Sequence, residues 1–125
     1  MIVYLDTHIV AWLIDGESRR LSPAAARAVE RNDLLISAVS ILELELLYEI
    51  GRIKKTASSI LTAMAAEIGL RVCDLPFRSV AEHALSEKWT SDPFDRLIVA
   101  NAKAAGAPLV TKDDRIRAHY SRAIW

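Results

Sequence analysis

Hydrophobic positions along this chain follow two periods that take turns. Residues 2–5 form a short apolar run with the length of a buried parallel strand, and Ile9, Val10, Leu13 and Ile14 then recur at helical spacing until Gly16. Thr7 stands where the cap of that helix is expected. Ser22-Pro23 opens another helix, over 24–32, because serine caps and proline suits the first helical position. A second strand is predicted over 34–38 and a helix over 40–50, with Ile41, Leu44, Leu47 and Tyr48 on one face and Gly51 at its end. The alternation continues with a helix over 56–68 stopped by Gly69, a strand over 71–75 and a helix over 79–88. Asp92-Pro93 starts a further helix, with Leu97, Ile98, Ala100 and Ala104 facing inward, that Gly106 terminates. A strand over 108–111, a short helix after Asp113 and a closing strand over 123–125 complete the pattern. Such alternation predicts an α/β fold: a central, mostly parallel sheet of four to five strands flanked by helices on both faces.

Composition narrows this picture. A chain of 125 residues with 52% hydrophobic content is expected to be one globular domain over 1–125. The 16 basic and 16 acidic residues cancel, which excludes the broad positive field of an indiscriminate nucleic-acid binder and makes any such contact local. The lone Cys73 has no intramolecular partner and lies in an apolar context, as a buried core thiol in a reducing cytoplasm would. The amino end lacks a basic segment, and Asp6 and His8 interrupt its apolar run, so neither a signal nor a membrane span is expected there.

Charge then points to chemistry. Asp6, Glu43, Asp95 and Asp113 come from distant parts of the chain, and each stands near a strand-to-helix junction. Acids at helix starts often serve only the helix. Ser40-Ile41-Leu42-Glu43 fits a capping box, Asp92 a cap with Asp95 behind it, and Asp113-Asp114 a cap of the last helix. Asp6 resists that reading, since a carboxylate directly after Ile2-Val3-Tyr4-Leu5 borders the core and is penalised unless paired or metal-bound. Independent caps also have no reason to gather at one sheet edge, where open α/β sheets bind their ligands.

Leu5-Asp6-Thr7, Ser40-Ile41-Leu42-Glu43, the stretch Asp92-Pro93-Phe94-Asp95-Arg96-Leu97-Ile98-Val99-Ala100, and Leu109-Val110-Thr111-Lys112-Asp113 resemble, in order and across the chain, the motif blocks of PIN-domain nucleases. Gly51-Arg52-Ile53, His83-Ala84 and the closing tryptophan are similar to the compact bacterial type that includes VapC-like toxins of toxin–antitoxin pairs. The resemblance implies a PIN-like fold and a cytoplasmic endoribonuclease that needs Mg²⁺ or Mn²⁺. Asp6, Glu43, Asp95 and Asp113 would be its catalytic and metal-binding acids, with Asp113 preferred to Asp114. Thr111, Thr7, Ser40 and Arg96 would support them. The implied partners are an RNA substrate, a small cognate antitoxin and a second copy in a homodimer, with a binding face expected around Trp12, Leu46, Leu47 and Tyr48.

Elementary chemistry agrees with that implication. Phosphodiester hydrolysis adds charge to an anion, and clustered carboxylates repel it unless a hard cation reverses the local sign. His83 and His119 share no metal-ligand spacing with Cys73, which disfavours zinc, and His8 is expected to pack or face solvent. Arg96, Lys112 and Arg115 are phosphate-contact candidates, as is the denser cluster Arg52, Lys54 and Lys55; Trp12 and Trp89 are expected in packing. Four other readings fit parts of the pattern. A dehalogenase-like phosphatase needs a second aspartate where His8 stands, and a receiver module needs its hydroxyl and lysine on separate strands, whereas Thr111 and Lys112 are adjacent. A catalytically silent PIN-like binding module is the remaining alternative, along with an RNA-processing nuclease outside any toxin pair.

Overall fold

The computed structural model describes residues 1–125. Its elements run β1 (Ile2–Leu5), α1 (Thr7–Ile14), α2 (Pro23–Arg31), β2 (Asp33–Ile36), α3 (Val39–Glu49), α4 (Ala57–Ile68), β3 (Arg71–Val72), α5 (Phe77–Ala84), α6 (Pro93–Ala105), β4 (Leu109–Val110), α7 (Asp114–His119) and β5 (Ala123–Ile124), with a 3₁₀ turn at Ser18–Arg20. All strand pairs are parallel, in the order β3-β2-β1-β4-β5.

Strand alternation sorts the sheet's side chains between two apolar layers. Val3, Leu5, Leu34, Ile36 and Val110 point into a core shared with α1 to α4, including Ile9, Leu44, Ile60 and Met64. Tyr4, Leu35 and Leu109 point the other way, against Ile98, Val99 and Ala102 of α6 and Ile116 of α7. Both faces are covered, which is why these strands read as unbroken apolar runs.

Ser22 caps α2 with its side chain on the Ala25 amide at 3.1 Å and Gly106 ends α6 at φ 64°, as the sequence signals predict, while Thr56, expected inside its helix, instead caps α4. The strands expected over 34–38, 71–75 and 108–111 are shorter than the apolar runs that suggested them. Just past β3 and β4 the Cys73 amide still bonds to the Ile36 carbonyl at 2.8 Å and the Thr111 amide to the Ile124 carbonyl at 3.2 Å before the chain leaves the sheet at its carboxyl edge. The helix expected over 79–88 instead begins at Phe77 and unwinds after Ala84, where Leu85 and Glu87 bond back only three residues, to the Glu82 and Ala84 carbonyls.

Topology fixes where a ligand would sit. The chain builds the sheet outward from β1 through β2 to β3, then crosses back through α5 and α6 to lay β4 on the other side of β1. That reversal opens a crevice at the carboxyl ends of β1 and β4.

Candidate active site: a carboxylate cleft at the sheet edge

The register of the central strands sets the first contact. Leu5 lies opposite Val110, and the Asp6 amide bonds to the Val110 carbonyl at 3.0 Å, so the next residues, Asp6 and Thr111, meet. The buried Thr111 hydroxyl donates to Asp6 Oδ2 at 2.6 Å and accepts the Asp113 amide at 3.0 Å. Asp6 Oδ1 accepts the Thr7 amide at 2.7 Å, which makes Asp6, not Thr7, the cap of α1. Asp6 is only 4% exposed, and this arrangement satisfies a carboxylate that water barely reaches.

Two helix starts bring further acids. Asp92 caps α6 through the Phe94 and Asp95 amides at 2.8 and 3.3 Å, leaving the Asp95 side chain in the first turn. Asp113 caps α7 through the Ile116 amide at 2.9 Å. The capping box expected at Ser40 and Glu43 does not form. Ala38 is the cap of α3, with no side-chain bond, and Ser40 lies wholly buried inside the helix, where its Oγ accepts the Thr7 hydroxyl at 3.0 Å. Glu43, one turn into α3, is therefore free to face the crevice.

The result is a cleft of about 310 Å³ lined by Asp6, Thr7, His8, Glu43, Leu47, Asp92, Asp95 and Asp113. The four predicted acids meet there, with Thr7 among the lining residues and Thr111 and Ser40 behind Asp6 and Thr7. No lysine or arginine lines the cleft. Asp114 turns outward, with its side chain 96% exposed and paired to Arg117. Arg96 is engaged elsewhere: its guanidinium donates to the Ala84 carbonyl at 2.9 and 3.3 Å and braces α5 against α6.

His8 is the residue that sequence reasoning set aside. Its Nε2 accepts the Lys112 amide at 3.1 Å, which places the ring proton on Nδ1, 3.4 Å from Asp6 Oδ2. The imidazole so ties the loop before Asp113 to the start of α1. The one available signal was its position two residues after Asp6. Trp12 is half-buried, with the Arg20 guanidinium 4.1 Å from its ring and the rings of His8 and Trp125 at 5.0 and 6.1 Å.

Crowded negative charge shows in the proton affinities. The Asp95 carboxyl is pushed up to about 7, first by burial and then by repulsion from Asp92, Asp6, Asp113 and Glu43. Glu43 is also raised, chiefly by burial and further by Asp6 and Asp92, with the Thr7 hydroxyl opposing the shift. Five carboxylates with no protein cation among them suit a hard divalent ion, which prefers oxygen donors. No three of them close into a ready-made ligand cage. Mg²⁺ needs none, because it keeps several of its waters.

The chain is similar to known proteins in sequence and in fold. The family model described as PIN domain matches residues 3–121. Ribonuclease VapC22 of Mycobacterium tuberculosis (strain ATCC 25618 / H37Rv) is 40% identical over 120 residues, spanning 94% of this chain and 91% of the relative. Among solved structures, a toxin–antitoxin complex from Klebsiella pneumoniae superposes with a TM-score of 0.67 at 16% identity, covering 98% of this chain and 96% of that one. VapBC2 from Rickettsia felis, bound to a DNA fragment from their promoter, gives 0.64 at 23% identity over 94% and 92% of the two chains.

Proposed function

The chain belongs to the PIN-domain family, and from that premise we propose that it is a divalent-metal-dependent endoribonuclease acting as the toxin of a toxin–antitoxin pair. We read residues 1–125 as a single PIN domain, with Asp6, Glu43, Asp95 and Asp113 as the metal-binding and catalytic acids. The observation that carries this reading is the convergence of those acids, from four separate elements, on one cleft without a protein cation. The 40% identity to a ribonuclease over nearly the whole chain supports the same activity and RNA as the substrate.

Each residue's part follows from its contacts. Thr111 and the Thr7 amide hold both oxygens of Asp6, so its direction is fixed before any ligand arrives. Such preorganisation matters because transition-state charge is stabilised best by groups that need not move. Asp6 would be the central ligand, with Glu43 and Asp95 opposite it on α3 and α6. Asp113, held by its own capping bond, completes the set. Mg²⁺ or Mn²⁺ would supply the positive charge that admits a phosphodiester and the activation of water that hydrolysis requires. Asp95, at about 7, is the acid poised to give up a proton when such an ion binds at neutral pH.

A small protein partner fits the exposed surface of α3. The stripe expected around Trp12, Leu46, Leu47 and Tyr48 is redrawn: Trp12 and Leu47 are partly buried, and the exposed apolar residues are Leu42, Leu46, Tyr48 and Ile50. Cavities of about 680 and 490 Å³ lie on either side of Leu42, one reaching Ile41 and Ala57, the other Phe77, Phe94 and Leu97. We place the antitoxin on this surface, beside the cleft, and expect a homodimer in the assembled complex. No helix is long and apolar enough to cross a membrane, and RNA cleavage with a free Cys73 thiol suits the cytoplasm.

The deciding experiment is cleavage of a mixed RNA pool by the purified, antitoxin-free chain with Mg²⁺ or Mn²⁺, beside EDTA and Asp95→Asn controls. Cutting that needs both the ion and Asp95 is expected. Folded protein that binds Mn²⁺ yet leaves the pool intact would move the assignment to a silent binding module.

A further inference from the structure

Glu87 is the one acid buried outside the cleft that the chemistry above does not use. It is 1% exposed, in the irregular stretch between α5 and α6. Its Oε1 takes the Lys103 ammonium, and its Oε2 accepts the Trp89 indole N–H at 2.6 Å. Lys103 lies eight residues after Asp95 on α6, about 12 Å along the axis at ~1.5 Å per residue, so Glu87 is not a fifth ligand.

Trp89 carries the connection to the other side. Its carbonyl accepts the Arg115 guanidinium at 2.5 Å, and its indole stacks on His119 with centroids 4.8 Å apart and planes 7° from parallel. Arg115 and His119 stand one turn apart on α7, joined by a 2.9 Å contact from His119 Nδ1 to the Arg115 carbonyl. The next residue, Thr90, is buried, and its hydroxyl accepts the Asp92 amide at 3.1 Å. One short loop thus grips α6 through Lys103 and α7 through Arg115 and His119. It then hands the chain to the cap that orients Asp95. α7 is the helix that Asp113 caps.

Stability alone explains this poorly. A buried ion pair seldom gains more than an apolar substitute would, whereas a fully satisfied buried network fixes one arrangement. We propose that Glu87 and Trp89 are positioning residues, a clasp outside the cleft that holds α6 against α7 and so sets the spacing of Asp95 and Asp113. The proposal rests on the assignment of those acids as metal-binding.

Its test compares Trp89→Phe, which keeps the ring but removes the N–H, and Glu87→Gln with Ile60→Val, a core change far from the loop chosen to lower Tm comparably. Amide hydrogen exchange of the metal-free full-length chains reads the Asp113 cap at the Ile116 amide, and calorimetric titration with Mn²⁺ reads the acids. For both clasp variants, Ile116 exchange is expected to rise tenfold or more above the control and Mn²⁺ affinity to fall about tenfold. Exchange and affinity matching those of Ile60→Val would overturn the proposal, as would faster exchange with unchanged affinity. If the unaltered chain itself takes no Mn²⁺, the metal assignment fails, and the exchange rates alone decide the clasp.

Discussion

Replacing Asp95 by asparagine should abolish cleavage and, at alkaline pH, make the metal-free protein more stable. The folded carboxyl titrates at about 7 against an ordinary 3.8, and that difference corresponds to roughly 4 kcal/mol at ~1.4 kcal/mol per pH unit. Asp95 is only half-buried at the wall of an open cleft, so solvent screening reduces this to about 2 kcal/mol. The sign follows from proton linkage. Because the folded value is raised, the carboxyl's favourable contribution is complete below about pH 4 and lost as pH rises through 7. Asparagine, never charged, loses nothing over that interval. The side chains that hold Asp6 and Asp113 do not lean on Asp95, so little hydrogen bonding is forfeited. In EDTA, thermal unfolding of Asp95→Asn should exceed wild type by roughly 8 °C at pH 8.5, at ~4 °C per kcal/mol for a domain this size, and the gap should shrink towards zero at pH 4. Adding 10 mM Mg²⁺ at pH 8.5, a concentration chosen to be saturating, should raise the wild type selectively. A variant less stable than wild type at pH 8.5, or a gap that ignores pH, would refute the account of Asp95 as a carboxyl crowded by its neighbours.

Other substitutions probe the scaffold. Thr111→Val should cost about 1–3 kcal/mol, since it strips a buried hydroxyl that serves Asp6 and the Asp113 amide together, and should lower Mn²⁺ affinity in calorimetry. Arg96→Met should destabilise the α5–α6 contact by roughly 1 kcal/mol in urea unfolding while leaving the metal-bound cleavage rate within about twofold; a large rate loss in folded protein would reinstate Arg96 as a substrate contact. Leu42→Asp should leave cleavage by the free chain intact and weaken capture of the antitoxin at least tenfold in a pull-down or calorimetric titration; unchanged binding would move the partner off α3.

What the sequence disclosed and what it hid divide along physical lines. Period and caps are local, so the order of strands and helices, the Ser22 and Asp92 caps and the Gly106 stop could all be read in advance. The four acids were legible because their motif blocks reach across the chain in order, although none is decisive by itself. Local patterns also misled. Ser40 and Glu43 have capping-box spacing, yet the helix starts one residue earlier at Val39 and the serine is drawn inward by Thr7. The contacts of His8 with Lys112, of Arg96 with Ala84 and of Glu87 with Lys103 join residues between 12 and 104 positions apart in sequence. No spacing rule encodes such pairs; they follow from the register of β1 on β4 and from the path of the loop after α5.

The place of β4 beside β1 also has a consequence for synthesis. A chain made from its amino end has Asp6, Glu43 and Asp95 in hand before Leu109 and Val110 exist to lie along β1. Until then Asp6 has no Thr111 hydroxyl to hold it, and Asp113 is missing altogether. At about 5–20 residues per second, the gap between translating Asp95 and Asp113 is about one to four seconds. Throughout it the ribosome carries a sheet without its β1–β4 pairing, and a chain broken off in that interval would leave the Asp6 carboxylate without the hydroxyl that orients it.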